Sequence, residues 1–245
     1  MEDALPILDY LPTTFAVPGE QEYVRLLWAA FESNYEQENF QFAMLPFHML
    51  YMSFVYFSVW QIKIMRPKEF GHSAIFVPNE ERKKLMAATS PFTFSVVNER
   101  SVFKFLKLIG CEDQHTGDFA RLVDDRNELA HSNGLISCRA RKSADTRLAK
   151  VLRQVGAIQG HMTPVLFECL RAFLVESCDP NVGRQYDLPR DQIRELLVHK
   201  HYFSIKDIEI CMTFDVQSLS TEPHFKEIQI LFDEFSTLYT ADLAG

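Results

Sequence analysis

The side chains best suited to joint chemistry stand in the run Arg126-Asn127-Glu128-Leu129-Ala130-His131. A guanidinium offers planar, permanently charged donors that match phosphate oxygens, and it stabilises charge gathering on a phosphorane-like transition state. An imidazole exchanges a proton near neutral pH, so His131 could activate an attacking hydroxyl or protonate a leaving oxygen. Asn127 would orient the histidine or the phosphate. Asn127 and His131 are four apart and share a face on an ideal helix. Arg126 and His131 are five apart, about 140° around the helix and about 7.5 Å along it. A single straight helix therefore does not bring both onto one phosphate. The plainer alternative is structural: Arg126 paired with Asp125 or Glu128 on a wet face, and His131 favoured by the dipole at a helix C-terminus. Asp124, Asp125 and Glu128 read as solvated or structural.

A second cluster follows the run. Arg139, Arg141, Lys142, Arg147, Lys150 and Arg153 are opposed within 139–153 only by Asp145, a local reversal of sign in an acidic chain. That is what a groove tracking a nucleic-acid backbone needs, and also what a solvated helix face looks like. Other constellations carry less. His199-Lys200-His201 reads as surface, because neighbouring helical residues point apart and no carboxylate is placed to join them; no metal site is expected. His48 reads as a hydrogen-bonded core residue. The stripe Tyr51, Phe54, Phe57 and Trp60 reads as core or interface, not a platform for bases. No phosphate-binding loop, dinucleotide fingerprint, zinc-protease motif or nucleophile elbow occurs, and no cofactor is expected.

These residues must be positioned by helices. Residues 1–19 hold Pro6, Pro12 and Pro18 with no helical period and read as an extended lead-in. Helical spacing starts near Glu20, with Tyr23, Leu26, Leu27, Ala30 and Phe31 on one face. An aromatic helix is expected over 45–65, with Pro46 in its first turn. A loop over 66–78 follows, then a helix capped by Asn79, an interruption at Pro91, and a helix ending at Gly110. Asp118 is the expected cap of the helix carrying the run, and Asn133-Gly134 its stop. A long helix is expected over 144–177, loosened by Gly156, Gly160 and Pro164. A boundary near 179–183 separates a bundle over 20–180 from a C-terminal extension over 181–245. Within the extension, helices are expected over 190–199, 205–217 and 224–239, with Ser204 and Asp207 capping the second and Thr221 the third. Strands, if any, are confined to 75–77 and 135–138. The fold class is all-α.

Composition agrees. Of 245 residues 47% are hydrophobic, enough for a full core, while only nine glycines argue against propellers, sandwiches and phosphate cradles. A net charge of −8 excludes a uniformly basic nucleic-acid binder but not a local basic site. The segment 205–217, which offers only Lys206 against Asp207, Glu209 and Asp215, argues against DNA reading. Five scattered cysteines without a C-x-x-C fit reduced thiols in a cytoplasm. The chain begins Met-Glu-Asp with no basic stretch, so no secretory signal is expected. Residues 39–62 lack any charged side chain and are long enough to cross a bilayer. Asn39, Gln41, Pro46, His48, Ser53, Ser58 and Gln61 sit badly in lipid, so the segment reads as the central helix of a bundle.

The Arg-Asn-x-x-x-His pattern, near a helix end and followed by Ser-Asn-Gly, resembles the signature of the HEPN superfamily. The resemblance rests on 118–135, with an all-α setting across 20–178. It implies a HEPN-like up-and-down helical bundle and a metal-independent endoribonuclease, with Arg126, Asn127 and His131 as the active-site set. Two copies would face each other across a two-fold axis and complete one site. The family includes toxins, antiviral effectors and RNA-processing factors. The expected partners are thus RNA, a second copy of the chain, and an antitoxin or other regulatory protein, with no DNA and no membrane. Toxins paired with a nucleotidyltransferase often carry a tyrosine two residues after the histidine. Asn133 stands there, so that mode of control is not expected. The alternative is a HEPN-like protein without catalysis that binds RNA or acts as a dimerising scaffold.

Overall fold

The computed structural model describes residues 2–131, 136–182 and 184–243. Among them no strand forms, and the class is all-α. The helices are α1 (Pro18–Glu36), α2 (Phe40–Met65), α3 (Pro67–Ser73), α4 (Asn79–Met86), α5 (Glu99–Val102), α6 (Asp113–Ala130), α7 (Arg141–Cys178), α8 (Pro189–Ile193), α9 (Ile205–Cys211) and α10 (Phe225–Leu243).

Helix α2 is the axis around which α1, α6 and α7 pack. It is apolar on every side, and 78% of its most apolar 18-residue stretch is buried inside the protein. Its buried serine, glutamine and histidine side chains find partners, as burial requires, whereas the Tyr51 hydroxyl and the Trp60 indole N–H have none among the described residues. Ser53 and Ser58 donate to the carbonyls of Met49 and Phe54 one turn back. Gln61 donates to the His201 carbonyl and to Asp207, and His48 meets Glu99. The helix starts five residues before the expected Leu45, because Phe40, Ala43 and Met44 are themselves core residues. Pro46 consequently lies inside it. The carbonyl its missing N–H would have met belongs to Phe42, which is 64% exposed, where water can serve it.

α7 runs unbroken for 38 residues, about 57 Å at the usual helical rise. Pro164 does not end it. The Thr163 hydroxyl donates to the Gly160 carbonyl, the group that Pro164 cannot serve.

Several expectations are corrected. Residues 2–10 form a 3₁₀ helix, not an extended lead-in, because Ala4, Ile7 and Leu11 reach the core and pack against α7. The expected loop over 66–78 contains α3 and a 3₁₀ turn, Ala74–Phe76, which bury Phe70 and Ala74. The expected helix ending at Gly110 is three pieces: 3₁₀ segments Pro91–Val96 and Phe103–Ile109 with α5 between them. Gly110, at φ +84°, does terminate the last, in the left-handed conformation that favours glycine. Asn79 is the first residue of α4 rather than its cap. The third tail helix starts at Phe225, after His224 at φ 61°, so Thr221 does not cap it. The proposed strand over 75–77 is helical turn, and the Asn133-Gly134 stop lies outside the described residues.

The tail is no separate unit. Leu197, Phe203 and Phe235 are fully buried in the same apolar core as α2 and α7. Asp207 accepts hydrogen bonds from Gln61 of α2, Gln159 of α7 and the Ser204 backbone, so one buried carboxylate ties three parts of the chain together. Ser204 and Asp207 form the expected reciprocal cap of α9. His201 corrects the surface reading of 199–201. It is buried with Nδ1 on the Leu197 carbonyl, and burial pushes its pKa down to about 4.

Candidate active site

α6 buries Phe119, Leu122, Val123 and Leu129. Arg126 falls on that same stripe, seven residues after Phe119 and three before Leu129. An arginine on a core-facing stripe requires an anionic partner. It finds neither neighbour suggested by the sequence but Glu99, the first residue of α5: Nη2 donates to Oε2 at 2.6 Å, with the two side chains 30% and 25% exposed. His48 of α2 meets the same oxygen from the core side at 3.1 Å through Nε2. Burial alone would raise the Glu99 pKa, but hydrogen bonds from His48 and Arg126 outweigh it and hold the carboxylate below its ordinary range.

The cluster is fixed by local chemistry at each element. Asn98 caps α5 by accepting from the Arg100 N–H at 3.0 Å, which sets Glu99 in the first turn, where an anion suits the dipole. α6 begins at Asp113, six residues before the expected start at Phe119. Glu112 and His115 form a reciprocal cap there, and Asp118, inside the helix, pairs with Arg121 instead. Across its other faces α6 is tied by ion pairs from Asp124 to Arg100, from Asp125 to Lys150 at 2.5 Å and from Glu128 to Arg147 at 3.8 Å. Asp124, Asp125 and Glu128 thus pair with cations on other helices and not with Arg126.

His131 is the C-cap of α6. Its N–H still bonds the Asn127 carbonyl at 3.0 Å, while its own backbone leaves the helix at φ −76°, ψ 137° and its side chain is exposed. Asn127 is half-buried between them in sequence. One chain thus holds Arg126 inward on the stripe and offers His131 to solvent. Beside Arg126 lies a cavity of about 30 Å³ bordered by Met44, His48, Leu122, Arg147 and Val151. That is room for one water and not for a nucleotide.

The basic cluster divides. Arg147 and Lys150 flank α6 through the pairs just described, and Arg141 pairs with Glu38 at 3.5 Å while lying over the rings of Tyr35 and Phe40. Asp145 accepts from the Tyr35 hydroxyl, and burial followed by that bond pushes the phenol up to about 12. Arg139, Lys142 and Arg153 are exposed and form no ion pair among the described residues. The reversal of sign read along 139–153 is thus partly cancelled in space by Glu38, Asp125 and Glu128.

Glu99 was not legible as a site residue, and His48 was legible only as a core residue. The available signal was Arg126 itself, an arginine at a stripe position that demands an acid from elsewhere. The five cysteines are unpaired, and no cluster of three metal-ligating side chains exists among the described residues. Fold and site together define an all-helical protein with a semi-buried arginine–glutamate–histidine cluster beside an exposed, helix-terminal histidine. Comparison with protein-family models, curated proteins and solved structures finds no match to this chain.

Proposed function

We propose that this chain is a metal-independent endoribonuclease of the HEPN type, acting in the cytoplasm on RNA at a site completed by a second copy. The supporting observation is the division of labour on α6. Arg126 is oriented by Glu99 and His48, and His131 is exposed at the helix end. Arg126 commits Nη2 to Glu99, and a guanidinium carries five donors, so others remain for a phosphate. Glu99 is a positioning residue: it fixes the arginine and does not touch the substrate.

In the reaction the RNA 2′-oxygen forms a bond to phosphorus as the bond to the 5′-oxygen breaks. His131 takes the 2′-hydroxyl proton or supplies the proton that the 5′-oxygen requires, and Arg126 balances charge on the phosphorane. Asn127 orients the histidine or the phosphate. The products are a 2′,3′-cyclic phosphate and a 5′-hydroxyl, and DNA, lacking the nucleophile, is refused. Arg139, Lys142 and Arg153 supply backbone contacts, with Arg141, Arg147 and Lys150 contributing where their ion pairs open. A role in phage defence or a toxin system, with an antitoxin or other regulator, follows from the family resemblance alone.

A second reading has its own support. The charge of Arg126 is already balanced by Glu99, as in a purely structural pair, which suits a HEPN-like RNA-binding or dimerising scaffold without catalysis. Induced expression separates the two. Wild type is expected to arrest growth and fragment cellular RNA, while Arg126→Ala and His131→Ala, matched in soluble amount, do neither. Equal arrest by all three, or none by any, would favour the scaffold.

A further inference from the structure

A cleft of about 610 Å³, whose lining does not include His131, lies between α1, α2 and the segment 90–99. Its apolar surface includes Met49, Met52, Tyr56 and Phe92. Tyr23 packs edge-on to Phe92 at 5.2 Å between centroids, and Tyr56 meets the same ring at 6.3 Å, so three aromatic rings are gathered at one wall. Two carboxylates, Glu20 and Glu99, also line the cleft. Arg126 offsets the charge of Glu99.

Glu20 has no such offset. It is only 6% exposed, and its oxygens accept from the Ser90 hydroxyl at 2.5 Å and the Tyr202 hydroxyl at 2.9 Å. It forms no ion pair among the described residues, and its place in the first turn of α1 is what keeps a buried anion tolerable. Each carboxylate oxygen retains an acceptor site. A buried anion without a counterion, facing an open cleft walled by three aromatic rings and two methionines, has the composition of a site for an organic cation.

We propose that this cleft binds a small organic cation, an alkylammonium with an apolar body, its charged head at Glu20 and its body against Met52, Tyr56 and Phe92. The proposal is independent of the ribonuclease reading, and its test contains no RNA.

Benzyltrimethylammonium, benzyl alcohol and phenylacetate are titrated into the full chain by calorimetry. The cation is expected to bind at least about tenfold more tightly than the neutral and anionic compounds. Glu20→Gln is expected to remove about that tenfold preference. Should Glu20→Gln fail to fold, Gly19→Phe serves alone. Gly19 lines the cleft with no heavy atom within 4 Å of an added Cβ, so the variant is expected to keep the wild-type melting curve and to abolish binding. Absence of binding, equal binding of benzyl alcohol, or unaltered binding in Gly19→Phe would overturn the proposal. So would sedimentation as a dimer that Gly19→Phe dissociates without any ammonium heat, since the cleft then holds a second copy.

Discussion

At the scale of the residue, the decisive feature is an arginine on an apolar stripe. Its position is legible in the sequence, seven residues after Phe119, but its partner is not, because Glu99 lies 27 residues upstream on another helix. Glu99→Gln leaves Arg126 half-buried without an anion, and is expected to lower stability by roughly 2 kcal/mol in urea denaturation. The lowered Glu99 pKa adds a pH signature. Its stabilising contribution is present at neutral pH and disappears as pH falls through the folded-state pKa, so Glu99→Gln should lose part of the acid limb of the stability profile. His201 acts in another window. Its folded pKa of about 4 is below the ordinary histidine value of 6.5, so the unfolded chain binds the extra proton between them. Stability therefore falls as pH drops from 6.5 towards 4, by up to about 3 kcal/mol from this group. Melting wild type and His201→Gln at a series of pH values isolates the effect, and the variant is expected to show a flatter decline. Asp207, whose pKa burial raises, works in the opposite direction in both proteins and cancels in the comparison.

At the scale of the element, legibility followed local chemistry. The Ser204–Asp207 cap was readable because a serine and an aspartate three apart bond each other's backbone without distant help. Asp118 was misleading because it looked like a cap, while Glu112 with His115 made a less usual one upstream. Segment 66–110 defeated periodicity. Its helical pieces are short, several are 3₁₀, and their shape is set by burying Phe70, Phe94, Phe103 and Phe105 against neighbours far away in sequence. Ser204→Ala removes the hydroxyl that accepts the Asp207 N–H, and is expected to cost about 1 kcal/mol by urea denaturation without changing the slope. A loss of near zero would mean that the cap is not holding α9.

At the scale of the molecule, the all-α class and the burial of 39–62 were readable from composition, whereas the unity of the chain was not. The break near 179–183 suggested an extension, yet Phe203, Phe235 and Asp207 complete one core with α2 and α7. A chain ending at residue 180 exposes that core, and is expected to lose its cooperative thermal transition by circular dichroism; a sharp melt would make the tail dispensable to folding. The central claim is that Arg126 and His131 cut RNA. The most direct measurement incubates the purified full chain in EDTA with total RNA and with DNA, then analyses the ends of any fragments. Wild type should yield 2′,3′-cyclic phosphates and 5′-hydroxyls from RNA alone, with Arg126→Ala and His131→Ala inert. Fragments made equally by the variants, cleavage of DNA, or 5′-phosphate ends would contradict it.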